Sequence, residues 1–80
     1  MNRNQMLERL NAIFQDVFDD ENLSIRETTT AEDIEEWDSL MHIMLVNAIE
    51  CEFQIKLDMR KVLEAVTVGE MLDMIEEALE

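Results

Sequence analysis

Apolar side chains recur at helical spacing from the start of the chain. Met6, Leu7, Leu10, Ile13, Phe14, Val17 and Phe18 follow the pattern of one buried helix face. Asn2, with Gln5 three residues later, supplies a capping box. A helix is therefore predicted from about residue 3 to 18, ended by Asp19-Asp20-Glu21-Asn22. Residues 19–38 then lose the period. Leu23, Ile25 and Ile34 are isolated anchors among Thr28-Thr29-Thr30 and many acids. A loop of about 20 residues in a compact domain is often functional; a short helical turn near Ala31–Ile34 is expected within it. The period returns at Asp38 or Ser39, either of which caps a second helix running to about Phe53. Asp58 caps a short third helix through Leu63. Thr67-x-x-Glu70 is a capping box for the last helix, whose buried stripe is Val68, Met71, Leu72, Ile75 and Leu79. No repeat or linker interrupts the pattern. The expectation is one all-α domain over residues 1–80: a small four-helix bundle with a long loop between the first and second helices and a short third helix.

The second helix has two apolar faces. On a wheel of about 100° per residue, Leu45, Val46, Ala48, Ile49 and Phe53 gather on the core side. Leu40, Met44, Asn47 and Cys51 lie opposite, at i, i+4, i+7 and i+11, with Ile43 at the border. An ordinary surface helix carries charges there. Either other helices cover this second face, or it is an exposed stripe for partner proteins, for which methionine suits adaptable contact.

Charge narrows the partners. Twenty acids against 6 bases give a net charge of −14. Nucleic acid is excluded, because phosphate backbones need Lys/Arg neutralisation; a basic patch on another protein is the natural complement. A hydrophobic content of 48% is too high for a disordered tail. The absence of proline and the single glycine, Gly69, suit long helices. Cys51 is alone, so no internal disulfide forms, which suits a reducing cytoplasm. The N-terminus lacks an apolar signal region and no stretch is long enough to span a membrane; a cytoplasmic monomer is expected.

Candidate chemistry centres on Ser39, where an acidic loop meets an apolar helix. Catalysis by a serine needs a base in reach and a third group to orient it. His42 is the only histidine, and no glycine-rich elbow surrounds the pair. A hydrolase reading is accordingly weak, and His42 reads as a packing or capping residue. Asp19-Asp20-Glu21 lacks the alternation of a calcium loop, and no metal site is expected. Cys51 reads as a small half-buried apolar side chain. If Asp38 is the cap, Ser39 is the first helical residue. A phosphate attached there would meet free backbone N–H groups at the positive end of the helix dipole. Such a position is poor for making a nucleophile and good for carrying a phosphoryl-linked group. The plain alternative is that Ser39 is only a helix cap.

These residues also resemble a family. Asp38-Ser39-Leu40, then Leu45, Ile49-Glu50, Phe53 and Ile55, match the helix II signature of acyl carrier proteins, D-S-L-x4-L-x3-I-E-x2-F-x-I. The order of helices and the strong acidity extend the likeness over nearly the whole chain. The resemblance implies that Ser39, flanked by Asp38, carries 4′-phosphopantetheine, taken from coenzyme A by a phosphopantetheinyl transferase. It implies that acyl groups ride on the arm as thioesters, with no catalysis by the carrier itself. Acyl-loading and acyl-transferring enzymes with basic patches would dock on Leu40, Met41, Met44, Asn47, Glu50 and Cys51. The acyl chain would find shelter among Phe14, Val46, Ile49, Phe53, Val62 and Leu72, which otherwise form plain core.

The chain departs from the carriers of general fatty-acid synthesis. Those have a glycine shortly before D-S-L, acids along exposed helix II and a proline before helix III. Here stand Glu36-Trp37, then Met41 and Met44, then Leu57-Asp58. Trp37-Asp38-Ser39-Leu40 with His42 looks more like freestanding carriers that serve lipid, surface polysaccharide, lipopolysaccharide or polyketide assembly. Two rivals stand beside this reading. One is an aminoacyl or peptidyl carrier with the same arm chemistry. The other is an acidic helical adaptor with Ser39 as a mere cap.

Overall fold

The computed structural model describes residues 2–65 and 67–79. Four helices follow one another: α1 Arg3–Val17, α2 Ser39–Phe53, α3 Met59–Glu64 and α4 Val68–Leu79. The caps explain the starts. Gln5 N–H donates to Asn2 Oδ1 at 2.8 Å while Asn2 N–H donates to Gln5 Oε1 at 3.0 Å, closing the capping box. Asp38 Oδ1 accepts from Met41 N–H at 2.9 Å and Asp58 Oδ1 from Arg60 N–H at 3.0 Å. Thr67 Oγ1 accepts from Glu70 N–H at 3.2 Å. Helix α2 stops where Gln54 turns left-handed, at φ 54°, a conformation any residue with a Cβ adopts at a cost.

α1 packs against both α2 and α4. Leu10 and Phe14 meet Leu45 and Ile49 of α2 and Leu72 and Ile75 of α4 in one core in which these six are fully enclosed. Val46 and Val62 are also fully buried. The core face read from the wheel is therefore the observed one, with Ala48 half-buried at its edge. Leu79 is a correction: it stays 43% exposed as the last residue of α4, one turn beyond the buried Ile75.

The long loop is pinned rather than loose. Ile25 and Ile34 enter the core. Ile25 N–H donates to Asn11 Oδ1 of α1 at 2.8 Å. The loop then lies along the start of α4: Val68 N–H donates to Thr29 O at 2.9 Å and Gly69 N–H to Glu27 O at 2.8 Å. A Cβ at Gly69 would come within 3.0 Å of Glu27 O, so the only glycine of the chain sits where two backbones touch. Residues 31–34 form turns without becoming a helix. Asp33 Oδ2 accepts from Thr30 N–H at 2.9 Å, and this local bond holds a turn in place of helical pairing.

Arg3 ties three segments together. Its guanidinium donates to Glu27 Oε1, to Glu76 Oε2 at 2.8 Å and to Gly69 O at 3.0 Å, and Nη1 lies 2.9 Å from Asp73 Oδ1. A cation in the first turn of a helix opposes the dipole; these acids offset that. They raise the Arg3 guanidinium further above its usual range, and Arg3 lowers the Glu27 carboxyl.

Candidate functional site

Ser39 is the first residue of α2, and Asp38 is its cap. Of the first amides of the helix, that of Met41 is held by the Asp38 side chain and that of His42 by Asp38 O at 2.9 Å. Among the described residues the amides of Ser39 and Leu40 have no acceptor, which leaves them for one from outside. The side chain of Ser39 is exposed, and no group among the described residues takes its hydroxyl proton.

His42 does not serve as a base for it. Trp37 Nε1–H donates to His42 Nδ1 at 3.0 Å. Indole is a donor only, so Nδ1 accepts and the ring proton sits on Nε2, which meets Val62 O at 2.9 Å. Both nitrogens are thereby used inside the fold. The two rings stack with centroids 5.7 Å apart. The indole also meets Phe14 edge-on at 5.2 Å and Phe18 at 6.3 Å. A cleft of about 300 Å³ opens beside Ser39, lined by Trp37, Asp38, His42, Leu63 and their neighbours.

The second face of α2 is open. Leu40 is 65% exposed, Met44 45% and Ile43 42%, and Asn47 and Cys51 are exposed too. Two of the residues grouped with them fall elsewhere. Met41 is half-buried against the core, because it stands one residue round the helix from Leu40. Glu50 turns to the α2–α3 connection, where its Oε2 accepts from Leu57 N–H at 2.9 Å. Cys51 is exposed where a half-buried side chain was expected. Phe14, Val46, Ile49, Phe53, Val62 and Leu72 are all buried, and none lines a principal cleft.

The acids at positions 32, 33, 35, 36 and 38 are all exposed. Asp33, Glu35 and Glu36 share one surface cleft with Asp19 and Asp20. Among the described residues, no three acidic, histidine or cysteine side chains are placed to hold a metal, and no helix is long and apolar enough to cross a membrane.

Sequence reasoning missed the Trp37–His42–Val62 link. A signal was present: with Asp38 as cap, Trp37 and His42 occupy the two positions of a hydrophobic staple. The polar tips of both rings made the pair hard to recognise.

Residues 8–75 match the family model described as a phosphopantetheine attachment site. Among solved structures, the chain is similar to a holo acyl carrier protein from Geobacter metallireducens, at 34% identity and a TM-score of 0.84, over 91% of this chain and 84% of that one. No curated protein matches it. The cofactor of this family is a covalently attached 4′-phosphopantetheine, and the residues present fit it. An exposed hydroxyl stands beside two unpartnered amides at the positive end of a helix, where an anion is favoured by ~0.3–1 kcal/mol. The chain is a carrier protein and belongs to the acyl carrier protein family.

Proposed function

We propose that Ser39 carries the 4′-phosphopantetheine arm and that the protein presents acyl thioesters to enzymes of lipid, lipopolysaccharide or polyketide-type biosynthesis in the cytoplasm. The observation that carries this reading is the Ser39 hydroxyl itself, exposed at the first position of α2 with no base among the described residues engaged to it. The arm, when bound, supplies a terminal thiol on which acyl groups ride as thioesters. The chain's own residues do three things. Asp38 fixes the start of α2 and so the direction of the Ser39 side chain. The amides of Ser39 and Leu40, in the first turn of α2, would offer donors to the phosphoryl oxygens of the arm. The Leu40–Ile43–Met44 stripe gives partner enzymes an apolar foothold beside Ser39, bordered by acids that attract basic patches. Because His42 is committed to Trp37 and Val62, activation of the Ser39 hydroxyl falls to the partner transferase, not to this chain.

A fluorescent coenzyme A analogue tests this. With a phosphopantetheinyl transferase, the wild-type chain becomes labelled on a denaturing gel and Ser39→Ala does not. Equal labelling of both sinks the assignment.

A further inference from the structure

Trp37 has two sides. One lines the cleft beside Ser39. The other packs against the core through Phe14 and Phe18. It therefore stands between the attachment point and the interior. Its position is fixed by two devices: the edge-on contacts with both phenylalanines, and the stack and hydrogen bond to His42. His42 in turn holds Val62 O of α3, so α3 is tied to α2 across the same entrance. Behind this barrier Phe14, Val46, Ile49, Val62 and Leu72 have no exposed surface. Native interiors hold few voids larger than water. A chain of methylenes entering from the Ser39 side would have to displace the indole, leaving the Trp37 N–H and His42 Nδ1 unpaired. Outside the barrier, by contrast, the cleft of about 300 Å³ is already open and has an apolar lip in Leu63, 60% exposed.

We propose that Trp37 is a specificity-determining residue that closes the bundle to cargo, so that the carried group lies in the outer cleft against the Trp37 and His42 rings and Leu63. Short acyl groups suit that place, and a long alkyl chain finds no shelter. The inference rests on the assignment of the arm to Ser39.

The test uses the full chain loaded by a transferase from acetyl-, hexanoyl- and dodecanoyl-coenzyme A, with intact mass read first. Amide spectra of the loaded forms are then compared. The expected chain-length-dependent shifts are confined to Ala31, Leu63, Ala65 and the Trp37 indole N–H, and the melting temperatures of the three forms coincide. Trp37→Leu, which removes the ring barrier, gains dodecanoyl-dependent shifts at Ile49 and Leu72 and a higher melting temperature for the dodecanoyl form than for the acetyl form. Failure to gain mass removes the Ser39 assignment and this proposal with it. Mass gain followed by interior shifts at Ile49 and Leu72 in the wild-type series overturns this proposal alone. A folded Trp37→Leu without chain-length dependence overturns the role of Trp37. If Trp37→Leu does not fold, the wild-type series decides.

Discussion

The indole N–H of Trp37 donates to His42 Nδ1 at 3.0 Å, and the far nitrogen of the same imidazole meets the Val62 carbonyl at 2.9 Å. One ring thus joins the residue before the α2 cap to the short helix α3. The residues on either side of Ser39 are held from two directions while Ser39 itself is left free.

His42→Phe keeps a ring in the stack but strands the Trp37 N–H and the Val62 carbonyl. Unpaired polar groups at such a site cost about 1–3 kcal/mol. Urea unfolding should show a loss of that order for His42→Phe. The double variant with Trp37→Phe should lose less than the sum of the two singles, because residues sharing a bond are not additive. Strict additivity would show that the bond contributes nothing.

Arg3 and Glu27 give a pH dependence whose sign is fixed. Arg3 lowers the Glu27 carboxyl below its usual range. A depressed carboxylate stabilises the fold above its unfolded pKa, and that contribution is lost as pH falls through the folded value. The melting temperature of wild type should exceed that of Arg3→Met at neutral pH. The gap should narrow once pH drops below about 4, the ordinary carboxylate range. A gap as wide in acid as at neutrality would contradict the pairing.

Of the exposed acids of residues 32–38, Asp33, Glu35 and Glu36 line one cleft with Asp19 and Asp20, so repulsion among them weakens the fold at low ionic strength. Added salt should raise the melting temperature. Glu35→Gln with Glu36→Gln should raise it at low salt and make little difference at high salt. Magnesium should act according to its ionic strength and charge as a diffuse counter-ion, since the described residues form no metal cluster. A flat response to salt would show that the repulsion is insignificant.

Met44 is 45% exposed, and exposed substitutions usually change stability by less than about 0.5 kcal/mol. Met44→Glu should therefore melt close to wild type while binding its partner enzyme more weakly, with loss of apolar contact at ~25 cal/mol per Å². Binding by wild type should depend less on salt than an ion-paired contact does. A large fall in melting temperature would return Met44 to the core.

Much of this was legible because the relevant signals are local. The capping box at Asn2 and Gln5, the cap at Asp38 and the α4 stripe from Val68 to Ile75 each rest on residues close in sequence, and the fold reproduces them. What escaped the sequence depends on distant partners. The partners of Arg3, which are Glu27, Asp73 and Glu76, are far from it in sequence and reach it only when α4 and the loop pack beside α1. Gly69 reads as a helix residue until Glu27 O is found against it. The second face of α2 could be read as stripe or core, because apolar spacing records a face and not what covers it. The bond from Leu57 N–H to the Glu50 carboxylate was likewise hidden, because it joins residues on either side of the α2 end.

Attachment of the arm to Ser39 can be read from the mass of the chain itself. The chain is incubated with coenzyme A and a phosphopantetheinyl transferase, its intact mass is recorded, and the modified peptide is fragmented to locate the added group. A gain of one phosphopantetheinyl group is expected, placed on Ser39 and absent from Ser39→Ala. A modified peptide that does not contain Ser39, or a mass that never changes with several transferases, would contradict it.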